Sequence, residues 1–461
     1  MNILLIRPWS LTQTFNPPMG LLYLVGSLGQ VANVKVDIVD ARIDNLKEKA
    51  LADKLARFSP HLVGITAMAN ERAGAIETAA ICKRLWRTVP VIIGGAWSST
   101  STEDALQETG ADIAVLREGE ETFKEVVLSF LDGASLTEIS GIALRNGRDI
   151  LFTTSREYIK DLDKIPLPAY DGINLEKYLT NRMNGHNKLR RTNRVVPIYT
   201  SRGCPYGCSY CHGIQGKKFR MRSPEHVLEE VDLLVKKYKV EEIEIDDDIF
   251  NFDLKRAKKI IEMILNRGYK VDLSFPNGLR VDRMDEELID MLKNAGCRRI
   301  CYAIESASER IQTSIGKRIN LDKAQRIISY TANKGISTGA YFMFGFPTET
   351  EDEMEKTISF AVESDLDTAT FSYLAPFPGT KIFEEHPTPN WKKFRDYSEF
   401  TVNLSNASDD YFSNVRKKAY RRFYLSARRI KSNITKTPKN ALLLHNAWAV
   451  FRLFLKDYVR Y

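Results

Sequence analysis

Two periods of apolar residues alternate over residues 1–150. MNILLI, VKVDIVD, HLVGITAM, VPVIIGG and ADIAVL are short apolar runs of strand length. Between them MGLLYLVGSLGQV, LKEKALADKLARF, AGAIETAAICKRLW and ETFKEVVLSFL place apolar residues at helical spacing. Strands alternating with helices predict a doubly wound parallel sheet covered on both faces. The rhythm breaks over 151–193, where LDKIPLPAYDG is rich in Pro and turn formers and RMNGHNKLRRTNR is polar and basic. This stretch reads as a linker. The alternation resumes over 194–390 with VVPIYTS, EEIEIDD, KVDLSF, RRICYAI, STGAYFMFG and TATFSYL, separated by helices such as PEHVLEEVDLLVKKY and DEELIDMLKNAG. Six such units predict an open or partial (β/α)6 TIM-type barrel. Residues 391–461 lose the alternation and read as a helical, basic C-terminal extension. The expected class is therefore α/β, with a sheet domain, a linker, a partial barrel and a tail.

The length of 461 residues exceeds one ordinary core and agrees with two or three domains. Hydrophobic residues at 43% and charged residues at 27% exclude a disordered or collagen-like chain. No apolar run reaches the length of a membrane span. MNILLIRPW lacks the basic-then-apolar order of a leader and reads as a first buried strand, so a cytoplasmic location is expected. The net charge of +8 is uneven: residues 411–461 hold 13 Lys and Arg against Asp457 alone. There the basic residues interleave with Phe, Tyr, Trp and Leu. The expectation is a helix packed on the barrel with its charges in water, and peripheral contact with an anionic inner membrane face. No recognition motif accompanies the basic residues, so nucleic acid is not an expected partner.

Six cysteines are too few for a disulfide scaffold, yet Cys204, Cys208 and Cys211 fall within SRGCPYGCSYCHG. That loop follows the strand VVPIYTS, at the end where barrel chemistry belongs. Soft thiolates bind zinc or iron–sulfur clusters. A structural zinc site wants four ligands, and the adjacent His212 is poorly placed to share one metal with Cys211. A [4Fe–4S] cluster on three cysteines leaves one iron open. Cys82, Cys297 and Cys301 read as core residues. In the first domain, Gly94 and Gly95 follow a strand and allow backbone to approach a ligand.

CxxxCxxC with Tyr210 before its last Cys resembles the cluster loop of radical SAM enzymes. The resemblance implies that the open iron is chelated by S-adenosylmethionine, whose reductive cleavage yields a 5′-deoxyadenosyl radical. Further motifs follow in order over about 194–385. IEIDDDIF supplies Asp247, Asp248 and Phe250 and resembles the segment that holds the cofactor's methionine amine. NGLRVD supplies Asn277 and Arg280 as cofactor contacts. AIESAS places Glu305 and Ser306 near the ribose or carboxylate. FGFPTET, with Phe346 and Pro347, matches the segment near the adenine, and APFPGT matches the sixth strand.

The first domain resembles the cobalamin-binding domain of the same branch. Its matching segments are NPPMGLLYLVGSL, HLVGITAM, VIIGGAW and REGEET. They imply cobalamin contacts at Pro18, Gly20, Thr66, Ala67, Met68, Gly94, Gly95, Ala96, Gly119 and Glu120. The DxHxxG motif, whose His ligates cobalt from below, is absent, and His61 lies in the wrong context to replace it. The implied cofactors are a [4Fe–4S] cluster, S-adenosylmethionine and cobalamin, meeting between sheet edge and barrel mouth. The implied reaction methylates an unactivated carbon of a small-molecule or lipid-like substrate, with an electron donor such as flavodoxin or ferredoxin. Cyclisation, epimerisation or another radical rearrangement with the same cofactors is the alternative enzyme reading. An iron–sulfur electron carrier or cobalamin-binding module is the alternative of another class.

Overall fold

The computed structural model describes residues 1–10, 15–181, 191–394, 400–426 and Arg429. The chain divides into two compact units, Met1–Tyr178 with Gly213–Gly216, and Leu179–His212 with Lys217–Tyr461.

The first unit runs β1 (Asn2–Arg7), α1 (Met19–Leu28), β2 (Lys35–Asp40), α2 (Glu48–Leu55), β3 (Leu62–Thr66), α3 (Arg72–Leu85) and β4 (Val91–Gly94). It continues with α4 (Ala96–Thr100), α5 (Thr102–Thr109), β5 (Ile113–Val115), α6 (Gly119–Asp132), β6 (Ile142–Asn146), β7 (Asp149–Phe152) and α7 (Leu175–Leu179). The sheet order is β2-β1-β3-β4-β5-β6-β7. Its first five strands are parallel in the flavodoxin-like order, whose switch point lies between β1 and β3. Ile3, Leu5, Leu62, Ile92 and Ile113 pack with Leu21 of α1 and Phe123, Val126 and Val127 of α6 in one buried core.

Two features differ from the expected all-parallel sheet ending at 150. β6 and β7 add an antiparallel hairpin beyond β5. Asn146 pairs with Asp149, so the turn is Gly147–Arg148, with Gly147 at φ +64°, a left-handed position glycine takes without strain. The expected linker is also partly structure of this unit. Ile159, Leu162, Ile165 and Tyr170 are buried, and the Ala169 N–H donates to Leu22 O at 3.1 Å. Proline and turn formers mark a segment without repetitive structure, but they do not say whether it packs.

The second unit begins with β8 (Val195–Ile198), β9 (Ser201–Arg202), β10 (Arg220–Met221), α8 (Pro224–Lys236), β11 (Glu242–Ile245), α9 (Leu254–Asn266), β12 (Asp272–Leu279) and α10 (Glu286–Asn294). It continues with β13 (Cys297–Glu305), α11 (Glu309–Ser314), α12 (Leu321–Asn333), β14 (Ser337–Phe344), α13 (Glu351–Glu363), β15 (Thr368–Tyr373), α14 (Lys381–Glu385) and α15 (Asp409–Tyr424). Six parallel strands lie in the order β8-β11-β12-β13-β14-β15. This is the arrangement of an open (β/α)6 barrel. Local sequence explains the helix starts: Ser223 caps α8 ahead of Pro224, and Thr350 with Glu353 forms a capping box on α13. α9 buries Ala257, Ile260, Ile261 and Ile264 on one stripe. Cys82, Cys297 and Cys301 are buried in their respective units.

α15 covers the free edge of β15. Tyr424 accepts from the Ala369 N–H at 3.1 Å and donates to Ala369 O at 3.0 Å. Tyr420 accepts from the Phe371 N–H at 3.3 Å, and Arg416 donates to Phe371 O at 3.0 Å. Arg416, Tyr420 and Tyr424 are spaced one helical turn apart, close to the two-residue repeat of the strand they satisfy. Beyond Ser426, Arg429 apart, the basic tail lies outside the described residues. Among the described residues no helix is long and apolar enough to cross a membrane.

Candidate active site

In the second unit, the exit of β8 leads through Thr200 and β9 into the cysteine loop. Asp247, just after β11, anchors that exit. Its carboxylate accepts from the Thr200 N–H at 2.5 Å, Thr200 Oγ1 at 2.5 Å and Ser201 Oγ at 2.6 Å. Asp248 accepts from the Gly203 N–H at 3.0 Å. Burial pushes both carboxyls above the ordinary aspartate value, against the pull of these donors. Asn277 on β12 donates to Asp247 O at 2.9 Å. Both acids are thus engaged in fixing the start of the loop.

Backbone pincers hold the loop further on. The Ser209 N–H donates to Ile315 O at 2.9 Å, and Ser209 O accepts from the Ile382 N–H at 3.0 Å. The Cys211 N–H donates to Cys208 O at 3.1 Å. A Cβ on Gly316, at φ +70°, would meet Gly207 O at 2.8 Å, so only glycine permits this approach. Cys204 and Cys208 are half-buried, while Cys211 sits at the exposed end of the loop. Burial raises the Cys204 thiol, with the charges of Cys208 and Asp248 adding to the shift. The donor set is chemically suited to an iron–sulfur cluster: three soft thiols on one loop, close enough to feel one another's charge. Metal binding would displace their protons. Among the described residues no three His, Cys, Asp or Glu side chains converge on one metal ion. A cubane does not require this, because each cysteine ligates a different iron.

Of the remaining expected residues, Arg280, Glu305 and Phe346 meet this loop at Tyr206 and Tyr210, whereas the contacts of Ser306 and Phe250 lie within the barrel. Arg280 lies 3.8 Å from the Tyr206 ring centroid, donates to Lys317 O at 2.6 Å and pairs with Asp282 at 2.9 Å. Glu305 ends β13 at φ +70° beside a bulge and pairs with Lys317 at 2.8 Å, both side chains nearly inaccessible. Ser306 is fully buried, with its hydroxyl 3.4 Å from Thr357 Oγ1 and its carbonyl accepting from Gln312 at 2.6 Å. Tyr210 lies 5.7 Å from Phe346 between ring centroids. Burial, and then the charge of Glu305, hold its phenol well above the usual tyrosine value. Pro347 follows Phe346 in the turn to α13. Phe250 is buried against Phe275 at 5.1 Å. His212 packs on Phe377 at 5.6 Å, and burial lowers its imidazole pKa.

Sequence reading missed Lys317 and Tyr206. Their only signal was proximity to motif residues: a lysine after a glycine turn, and an aromatic residue inside the cysteine loop.

The first unit gathers its expected residues at the carboxyl edge of its sheet. Thr66 ends β3 and Gly94 ends β4, joined by the Ala67 N–H donating to Gly94 O at 3.0 Å. Gly95 has φ +98°, and a Cβ there would meet Ala67 O at 2.7 Å. A Cβ on Gly94 would meet nothing within 4 Å, so space lies open above this edge. Ala96 begins α4, Pro18 immediately precedes α1, and Gly20 stands exposed in its first turn. Gly119 begins α6 with the buried Glu120 beside it. Met68 is 53% exposed at the same rim. This glycine-lined, open edge fits a large flat ligand. Behind it, Glu71 accepts from the Met68 N–H at 3.0 Å and pairs with the buried Arg42. His61 lies at the opposite, amino edge, where it accepts from the Asn2 N–H at 3.0 Å.

A thiol loop at the mouth of a partial barrel, and a flavodoxin-order sheet with an open glycine edge, define a radical enzyme with a second cofactor domain. The Radical SAM superfamily model matches residues 198–361, and the B12 binding domain model matches residues 12–127. An uncharacterised methyltransferase of Pyrococcus horikoshii is 33% identical over 443 residues, covering 92% of this chain and 93% of its own. Cytidylyl-2-hydroxyethylphosphonate methyltransferase of Streptomyces wedmorensis is 27% identical, covering 74% of this chain and 69% of its own. Anaerobic magnesium-protoporphyrin IX monomethyl ester cyclase of Rubrivivax gelatinosus is 26% identical, covering 80% of this chain and 66% of its own. Among solved structures, the radical S-adenosylmethionine methyltransferase TsrM from Kitasatospora setae, with cobalamin and a [4Fe–4S] cluster bound, superposes with a TM-score of 0.70. It is 21% identical and covers 83% of this chain and 77% of its own. The chain belongs to the cobalamin-dependent radical SAM methyltransferase family, whose cofactors are a [4Fe–4S] cluster, S-adenosylmethionine and cobalamin.

Proposed function

We propose that this enzyme methylates an unactivated carbon of a small-molecule substrate. The observation that carries the reading is the loop after β8, with three thiols in eight residues clamped on both sides of Ser209. Cys204, Cys208 and Cys211 would hold the cluster. When bound, the cluster and S-adenosylmethionine supply hydrogen-abstracting radical chemistry, and cobalamin supplies the methyl group.

The chain itself binds and orients. Asp247, Asp248 and Asn277 fix the loop's start, and Arg280 fixes its Tyr206 end. Glu305, at the bulged exit of β13, would meet the polar part of S-adenosylmethionine, with Ser306 buried behind it. Lys317 neutralises Glu305 so that its carboxylate survives burial. Tyr210 and Pro347 would form the apolar wall on which an adenine rests, with Phe346 buried behind Tyr210. In the first unit, Pro18, Gly20, Thr66, Ala67, Met68, Gly94, Gly95, Ala96, Gly119 and Glu120 form the rim for the corrin.

The substrate is proposed to be a lipid-like molecule or secondary metabolite, and the electron donor a flavodoxin or ferredoxin. Contact with an anionic membrane through 425–461 belongs to the same proposal. Liposome binding that survives deletion of 425–461 would remove it. Radical rearrangement is the second reading, favoured by the likeness to a cyclase over 80% of the chain.

Anaerobic reconstitution with iron, sulfide and hydroxocobalamin is the first test. The expected result is about four irons and one cobalt per chain. Transfer of a labelled methyl group from S-adenosylmethionine to product carbon then supports methylation. A rearranged product without the label supports the second reading. A cluster that never binds S-adenosylmethionine would leave an electron carrier.

A further inference from the structure

Between β14 and α13 the chain turns through Gly345, Phe346, Pro347, Thr348 and Glu349. Glu349 is fully buried, and its carboxyl reaches back to the start of the turn. Oε2 accepts from the Gly345 N–H at 2.8 Å and the Phe346 N–H at 3.2 Å. Oε1 is buried without a partner among the described residues. The task is not helix capping, because Thr350 and Glu353 already cap α13. The turn needs an external tie. Gly345 has φ +98° and Thr348 φ +63°, and a Cβ on Gly345 would meet Phe412 Cζ at 2.6 Å.

What the turn positions is Phe346. Its ring belongs to a buried cluster with Ile311, Ile315, Leu374 and Ile382, against which Tyr210 packs. Ile315 and Ile382 are the two residues whose backbones clamp Ser209, the residue after Cys208. Phe346 therefore touches the cysteine loop through Tyr210 and supports both arms of its clamp.

We infer that Glu349 is a positioning residue for the cysteine loop: its carboxyl ties the Gly345–Phe346 turn, and the turn holds Phe346 against Tyr210 so that Cys208 and Cys211 keep their spacing. The inference rests on the proposed reading that these cysteines hold the cluster. Burial favours the neutral acid, so an amide of the same shape should do the same work.

The test uses the full chain, reconstituted anaerobically, and compares Glu349→Ala, Glu349→Gln and Phe346→Leu with the parent. Iron content, the rate of iron loss to a chelator and the electron paramagnetic resonance spectrum of the reduced cluster are measured. Far-ultraviolet circular dichroism and cobalamin content report the fold. Glu349→Ala is expected to lose iron about 10-fold faster with an altered spectrum, the scale seen when a residue supporting metal ligands is removed. Glu349→Gln should match the parent. Phe346→Leu should follow Glu349→Ala, and it decides the matter if the alanine variant does not fold. Parent-like iron retention in Glu349→Ala, or alanine-like loss in Glu349→Gln, overturns the inference. If the parent takes up no iron, or Cys208→Ala takes up as much as the parent, the cluster reading fails instead.

Discussion

Glu305 and Lys317 show how a single residue pair supports this site. The glutamate stands in a left-handed backbone conformation that a β-strand exit does not favour for a non-glycine residue. Its charge lies beside Tyr210 in a nearly water-free environment, and the ammonium 2.8 Å away makes that burial tolerable. Removing one partner strands the other. Lys317→Met should therefore cost about 3–5 kcal/mol, read as a lower denaturant midpoint for the second unit. The double variant Lys317→Met/Glu305→Gln should recover much of that loss, because no buried charge then remains. Equal midpoints for the single and double variants would show that the lysine acts through packing alone.

At the scale of elements, the N-terminus of α13 and the free edge of β15 make separate predictions. Glu353, held by Arg310 to about 2, lies below its ordinary value of 4.5. Its contribution is complete above pH 4.5 and is lost as the pH falls toward 2. Glu349, raised by burial to about 8, has the opposite sign. The folded chain holds its proton longer than the unfolded chain, so its share of stability falls as pH rises from 4.5 to 8. Arg310→Met should flatten the acid limb of a stability–pH curve, and Glu349→Gln the decline toward alkaline pH. At β15, Tyr424→Phe leaves the Ala369 backbone unsatisfied and should cost about 1–3 kcal/mol. Tyr420→Phe should cost about 1 kcal/mol. Removing α15 altogether should expose an open strand edge, detected as concentration-dependent association in light scattering.

The same elements show what the sequence made legible. Strands that alternate with helices have a period, so the parallel core of both units could be read directly. The β6–β7 hairpin turns at Gly147–Arg148, inside a run too polar to stand out. The strap over 155–178 had composition but no period, and only contacts such as Ala169 on Leu22 reveal that it packs. The three cysteines were legible because soft ligands at that spacing have few other uses. The motif acids were legible as positions. That Asp247 is engaged with Thr200 and Ser201 depends on which direction its side chain points, and no local pattern encodes this.

For the whole molecule, the two sites are proposed on different elements. The proposed corrin rim comprises the exits of β3 and β4 and the starts of α1 and α6, and the thiol loop starts at the exit of β8 and is clamped at Ser209. Among the described residues, the first of these sets contains none of the three thiols. Removing all three thiols by Cys204→Ala/Cys208→Ala/Cys211→Ala should therefore abolish iron uptake and S-adenosylmethionine cleavage. It should leave helical content and about one cobalamin per chain intact. His61, the one histidine of the first unit, should also not ligate the cobalt of that cobalamin, because it lies at the far edge of the sheet. His61→Ala should leave the spectrum of the bound cob(II)alamin unchanged. A spectrum that shifts on this substitution would mean the corrin sits at the amino edge, and the glycine rim at Gly94 and Gly95 would then need another ligand.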